Sequence, residues 1–171
     1  MTAVRTQVSG LLWEFKSCKM PWPAERCRSK RAGWSGICFA LPVVCCAYRG
    51  ERLLWCLQAF MSVLADYVFI GRSSVVHGLD RVLASLMLVR LIYECTLKVH
   101  SLFALWALPP LAFFALAAHA KSTRDAVLWK YAHCLWHVAG GLLAAFSTCR
   151  LHEDTCLLQN NPALACLLGS T

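Results

Sequence analysis

Between residues 32 and 147 the chain alternates long apolar runs with short charged ones. Residues 32–48 are 17 positions without Asp, Glu, Lys or Arg, closed off by Arg31 and Arg49. Residues 53–70 are 18 positions with one charge, Asp66. Residues 82–97 are apolar apart from Arg90 and Glu94. Residues 102–118 are uncharged and contain Pro109-Pro110, and residues 131–147 carry His133 and His137 but no Asp, Glu, Lys or Arg. A hydrocarbon core of ~30 Å asks for roughly 17–25 predominantly apolar residues in a helix. These runs are too evenly apolar for barrel strands, which alternate faces, and an open sheet leaves unpaired edge groups in lipid. The expected fold is therefore an all-α, polytopic transmembrane helix bundle of about five spans, the first being short and interrupted by Pro42. It divides the chain into a basic cytosolic tail (1–31), poorly ordered, a helix bundle (32–147) and a C-terminal tail (148–171).

Composition agrees. Of 171 residues, 58% are hydrophobic and 15% charged, with mean hydropathy +0.53, against about 25% charged in a typical soluble domain. Such a chain is too apolar for intrinsic disorder and too poor in charge for a coiled coil. The 11 cysteines are odd in number and scattered, with no CxxC pair. No zinc knuckle or thioredoxin motif follows from them, and those in apolar runs read as small packing residues. The N-terminus has no long apolar segment of the signal-peptide kind, so a cleaved leader is not expected.

Net charge is +8. Its densest part, Arg26-Cys27-Arg28-Ser29-Lys30-Arg31, precedes an apolar run, where basic residues set orientation and touch anionic lipid. No nucleic-acid partner is inferred; the expected partners are membrane lipids. With the N-terminus in the cytosol, the inner segments 1–31, 71–81 and 119–130 carry 12 Lys and Arg, and the outer segments carry 4. That asymmetry places the N-terminus inside and the C-terminus outside.

Ionisable groups within spans are costly and point to function. Here they gather at one level. In this topology Asp66 lies ~6 Å from the inner end of the second span, and His133 and His137 lie ~3 and ~9 Å into the fifth. His77 and Asp80 precede the third span at the same face, and His119 ends the fourth. His133 and His137, four apart, share one helix face and suit a zinc ion held at ~2.0–2.1 Å from nitrogen. Asp66 can supply a third ligand. Ser62 is one turn before Asp66. Asp80 can take a proton from a zinc-bound water or orient a histidine, and that water attacks a lipid amide or ester carbonyl.

Plainer readings stand beside these. Asp66 can pair with an arginine such as Arg81, and Arg90 and Glu94, four apart, neutralise each other. His100 and His152 read as solvated, and Trp129, Tyr131 and Trp136 as interface aromatics.

The pattern Ser62-x3-Asp66, then Asp80 at the head of the next span, then His133-x3-His137 at the head of the last, resembles the CREST superfamily of membrane metal-dependent hydrolases. That superfamily includes the alkaline ceramidases and the progestin and adipoQ receptors. The resemblance covers roughly residues 53–147 and implies a seven-helix core, a zinc site, and amide or ester hydrolysis of membrane lipids. It implies zinc ligation by His133 and His137, a serine at Ser62 that stabilises the oxyanion or positions water, and the third-helix aspartate at Asp80. Asp66 stands where the family has a third histidine, a role for which His77, just before the third span, is the substitute, and five spans stand where the family has seven, which marks the chain as a divergent or truncated member. Two other functions compete: a non-catalytic membrane receptor or structural helix bundle, and an ion or proton pathway.

Overall fold

The computed structural model describes residues 20–72 and 74–152, and among these there is no strand. A short helix α1 (Ala24–Cys27) leads to α2 (Lys30–Ser35), which runs on as a 3-10 helix over Gly36–Val44. The tighter winding carries Pro42 inside it. Helix α3 (Arg49–Val63) ends in a π-helical turn, Leu64–Val68. Helix α4 spans Val75–Lys98, a 3-10 segment Ser101–Ala107 opens into α5 (Leu108–Ser122), and α6 spans Ala126–Leu151.

Two of these helices are long and apolar enough to cross a membrane: Ser101–Ser122, counted with its 3-10 start, and Ala126–Leu151. Only 22% and 28% of their apolar windows are buried, so most of each window lies open at the surface of the bundle. The other three runs do not meet that measure. The 3-10 stretch is short, and α3 and α4 carry Arg49, Glu51 and Arg52, and Asp80, Arg81, Arg90 and Glu94, within their own length.

Local chemistry sets the ends. The Ser74 side chain accepts from the Val76 amide at 3.2 Å and starts α4. Asp125 Oδ1 accepts from the amides of Val127 and Leu128 at 3.0 and 2.9 Å and starts α6. Both satisfy donors that a helix N-terminus leaves without partners. Pro109 and Pro110 fall where the 3-10 segment gives way to α5. They occupy the first turn of α5, where a missing N–H costs nothing and the fixed φ suits the start. The change from 3-10 to α winding falls just before them.

Helix α6 is the hub, packed against α5, α4, α2 and the 3-10 segment Gly36–Val44. Gly141 makes its approach to the last of these possible, because a Cβ there would collide with the backbone carbonyl of Cys38. Two apolar clusters flank the middle of the bundle. One gathers Phe39, Trp55, Ala59, Leu91 and Phe103, and the other Trp22, Ile70, Ala120, Trp129 and Ala132. Residues 20–31, read from sequence as tail, thus include an anchor: Trp22 packs edge-on to Trp129 at 6.1 Å. The rest of the tail reading, over 1–19 and 153–171, lies outside the described residues.

Helix α3 buries polar side chains beside Trp55 and Ala59. Its buried face carries Glu51, Gln58 and Ser62, at 6%, 1% and 1% exposure, and its open face carries Leu53 and Phe60, at 69% and 60%. Helix α4 shows a second such stripe, with Val75, Leu79, Val82, Leu86, Val89, Tyr93 and Leu97 all exposed.

Candidate metal centre

Asp66 sits in the π-helical turn that closes α3, where the Phe69 amide bonds back to the Leu64 carbonyl at 2.9 Å. Single π turns add a residue to a helical turn and recur at functional sites. Across from it are the second and third turns of α6, placed by the Asp125 cap. His133 Nε2 lies 3.0 Å and His137 Nε2 3.3 Å from the same oxygen, Asp66 Oδ2. The three ligand atoms all fall within 4.8 Å of one another, and among the described residues no other such group of His, Cys, Asp and Glu was found. Ligands held at ~2.0–2.1 Å in a tetrahedron stand about 3.3 Å apart. The spacing therefore suits a metal ion, and the two-histidine, one-carboxylate set is one that catalytic zinc uses.

The imidazoles are held on every side. His133 stacks on Trp129, centroids 4.9 Å apart. His137 packs edge-on to Phe39 at 5.3 Å. His137 Nδ1 lies 2.8 Å from Ser35 Oγ, and that hydroxyl donates its only proton to the Ala32 carbonyl at 2.7 Å. With its proton so placed Ser35 accepts from Nδ1–H, and in the neutral imidazole the Nε2 lone pair then faces Asp66. A partner that fixes the tautomer and aim of a ligating histidine is the usual outer support of a metal site.

Ser62 and Asp80 face the same cavity, of about 360 Å³. Ser62 Oγ lies 3.4 Å from His137 Nε2. Gln58 Nε2 donates to Asp80 Oδ1 at 2.8 Å, so a carboxylate from α4 is clamped by an amide from α3. The rest of the wall is largely apolar, with Leu88, Leu111, Phe114 and Trp136.

His77 has a different part. It lines the cavity, but its Nε2 donates to the carbonyls of Phe69 and Arg72, each at 3.1 Å. That nitrogen ties the α3–α4 turn together and is not free to bind a metal. Asp66 meets the histidines rather than an arginine. Arg90 and Glu94 do pair, at 2.7 Å, and Lys98 joins them at 3.1 Å. His152 is not solvated: its Nε2 lies 2.9 Å from the buried Glu51 carboxylate, which Arg90 also approaches at 3.4 Å.

Ser35 and Gln58 escaped the sequence reading. Gln58 precedes Ser62 and Asp66 at steps of four, so the polar face of α3 could have been extended one turn back. Ser35 carried no signal, being a small hydroxyl in an apolar run whose role depends on a helix 102 positions away.

No family model, curated protein or solved structure matches this chain.

Proposed function

We propose that this protein is an integral membrane, zinc-dependent hydrolase of lipid amide or ester bonds. The observation that carries the reading is the meeting of Asp66, His133 and His137 within 4.8 Å, on the wall of an apolar cavity that also holds Ser62 and Asp80. The resemblance to the CREST superfamily supports the same assignment. Five membrane passes, with the N-terminus cytosolic, are part of the proposal. The long apolar helices and the outward Leu, Val and Phe side chains of α3 and α4 support it, because lipid is the solvent in which such a surface costs nothing.

Each residue then has a task. Asp66, His133 and His137 hold the ion, and Ser35 keeps His137 in the ligating tautomer. A bound zinc ion supplies Lewis acidity toward a carbonyl oxygen. Asp80, clamped by Gln58 and outside the ligand triad, accepts the proton of the attacking water and returns it to the leaving group. Ser62 Oγ–H donates to the oxygen on which negative charge develops. The apolar wall takes the chain of the lipid and limits access of bulk water.

Metal analysis of protein purified in mild detergent is expected to find about one zinc per chain. His133→Ala or His137→Ala loses it. Asp80→Asn keeps the metal and lowers hydrolysis of a fluorogenic N-acyl or O-acyl lipid by about 10²-fold or more. Well-folded protein without zinc, or with iron in its place, would overturn the hydrolase. Zinc with no turnover of either lipid would favour a non-catalytic receptor.

A further inference from the structure

The exposed stripe on α4 has an order that a lipid-facing surface does not need. Val75, Leu79, Val82, Leu86, Val89 and Tyr93 follow one another at steps of four and three in strict alternation, and Leu97 adds a further step of four. Val75, Val82 and Val89 recur every seven residues, and so do Leu79, Leu86 and Tyr93. A repeat of seven keeps one seam along a helix that winds gently around another, with the side chains of each filling holes in its neighbour. The seam runs for about five turns. Acyl chains cover any apolar outline and set no repeat, whereas helices in lipid associate through the fit of their side chains.

The stripe looks away from the chain's own core. His77, Met87, Leu91 and Cys95 are the buried residues of α4, and they lie on its opposite face. Exposure along the stripe runs from 43% to 71%, so nothing covers it among the described residues. The seven side chains offer roughly 700 Å² to a partner, near the ~800 Å² that each side of a standard interface buries. Gly78 and Ser85, seven apart at one edge of the stripe, are small enough to let two backbones approach. Ser85 also lines the main cavity, so the seam runs along one edge of that cavity.

We propose that a second copy of this chain packs along this stripe, α4 against α4, as a parallel pair about a two-fold axis along the membrane normal. The parallel sense rests on the membrane-spanning reading of α4, which gives both copies one orientation. The seam itself does not depend on that reading.

The test uses the full chain with a fluorescent tag, in phosphatidylcholine liposomes at low protein density, and wild type sets the background from the native cysteines. Photobleaching is expected to run in two steps. Leu79→Cys and Leu86→Cys are each expected to cross-link between copies under mild oxidation about fivefold faster than wild type or more, because facing seam positions come within disulfide reach. Leu53→Cys, exposed on α3, is expected to stay at background. Leu79→Ala combined with Leu86→Ala keeps the surface apolar and is expected to weaken the pair about tenfold or more, with metal content unchanged. Single-step bleaching with no cross-link above wild type overturns the proposal, and so does a pair that the double alanine variant leaves intact. Cross-linking of Leu86→Cys with itself and of Leu79→Cys with Tyr93→Cys, but not of Leu79→Cys with itself, is the antiparallel pattern. It upholds the interface and defeats the shared membrane orientation.

Discussion

Ser35 Oγ stands 2.8 Å from His137 Nδ1 and gives its own proton to the Ala32 carbonyl. A hydroxyl on one helix thereby decides which nitrogen of a histidine on another is free for a metal. Ser35→Ala removes that choice and leaves the ligands themselves untouched. Zinc affinity, measured by competition with a chelator, is expected to fall by about 10–100-fold. Ser35→Thr keeps the hydroxyl and is expected to lose less. Equal affinities for wild type and Ser35→Ala would show that His137 needs no such support.

Gln58→Leu tests the clamp on Asp80. The substitution keeps the volume and removes the donor held 2.8 Å from Asp80 Oδ1. Zinc content is expected to stay at the wild-type level while hydrolysis drops by about tenfold or more, as a positioned carboxylate becomes a loose one. The drop is expected in kcat rather than in KM. Loss of metal in this variant would mean that Gln58 holds the triad and not Asp80.

Gly140 and Gly141 are neighbours with opposite tolerance. A Cβ at Gly141 runs into the Cys38 backbone, whereas one at Gly140 meets the Phe39 ring at 3.3 Å. Backbone cannot yield as a ring can. Gly141→Ala is expected to cost about 1–3 kcal/mol, read from thermal unfolding in detergent, and Gly140→Ala markedly less. Because Gly141 is one turn beyond His137, the first variant is also expected to weaken zinc binding. Equal effects of the two would mean that α6 does not need this close approach.

Glu51 anchors the far end of the bundle. Its buried carboxylate meets His152 at 2.9 Å and Arg90 at 3.4 Å, joining α3, α4 and the end of α6. Glu51→Ala takes this acid from His152 while Arg90 keeps Glu94, and losing the buried acceptor is expected to cost about 1–3 kcal/mol. The unfolding midpoint is expected to fall while zinc content of the folded fraction is kept, since the centre lies at the other end of α3. An unchanged midpoint would reduce the cluster to surface charge.

What could be read from the amino-acid order was whatever depends on position along one helix. The step of four between His133 and His137, and an isolated acid at Asp66 in an apolar run, were enough to bring three ligands together on paper. The Arg90–Glu94 pair was legible for the same reason. Facts that need two helices were not. His152 looked solvated because nothing local shows Glu51 coming to meet it, and Ser35 gave no signal because its partner is 102 positions on. The place of Pro109-Pro110 within its run was not legible either. Whether a proline bends a helix or begins one depends on where the preceding 3-10 turn stops, and that is set by packing. His77 stood near enough in sequence to serve as a ligand, yet the carbonyls of Phe69 and Arg72 claim its nitrogen.

Helix α3 also predicts how the chain tolerates change. Leu53, Leu54, Leu57 and Phe60 are exposed and touch little of the protein, so any apolar residue of any shape should serve there, and a charged one should not. Glu51, Gln58 and Ser62 lie buried and should accept almost nothing. A saturation scan of this helix would thus yield a profile unlike that of a water-soluble one. Its permissive positions are greasy and three of its strict ones polar, beside the buried Trp55 and Ala59, so a variant judged by the ordinary rule, hydrophobic inside and hydrophilic out, would be misjudged at Glu51, Gln58 and Ser62.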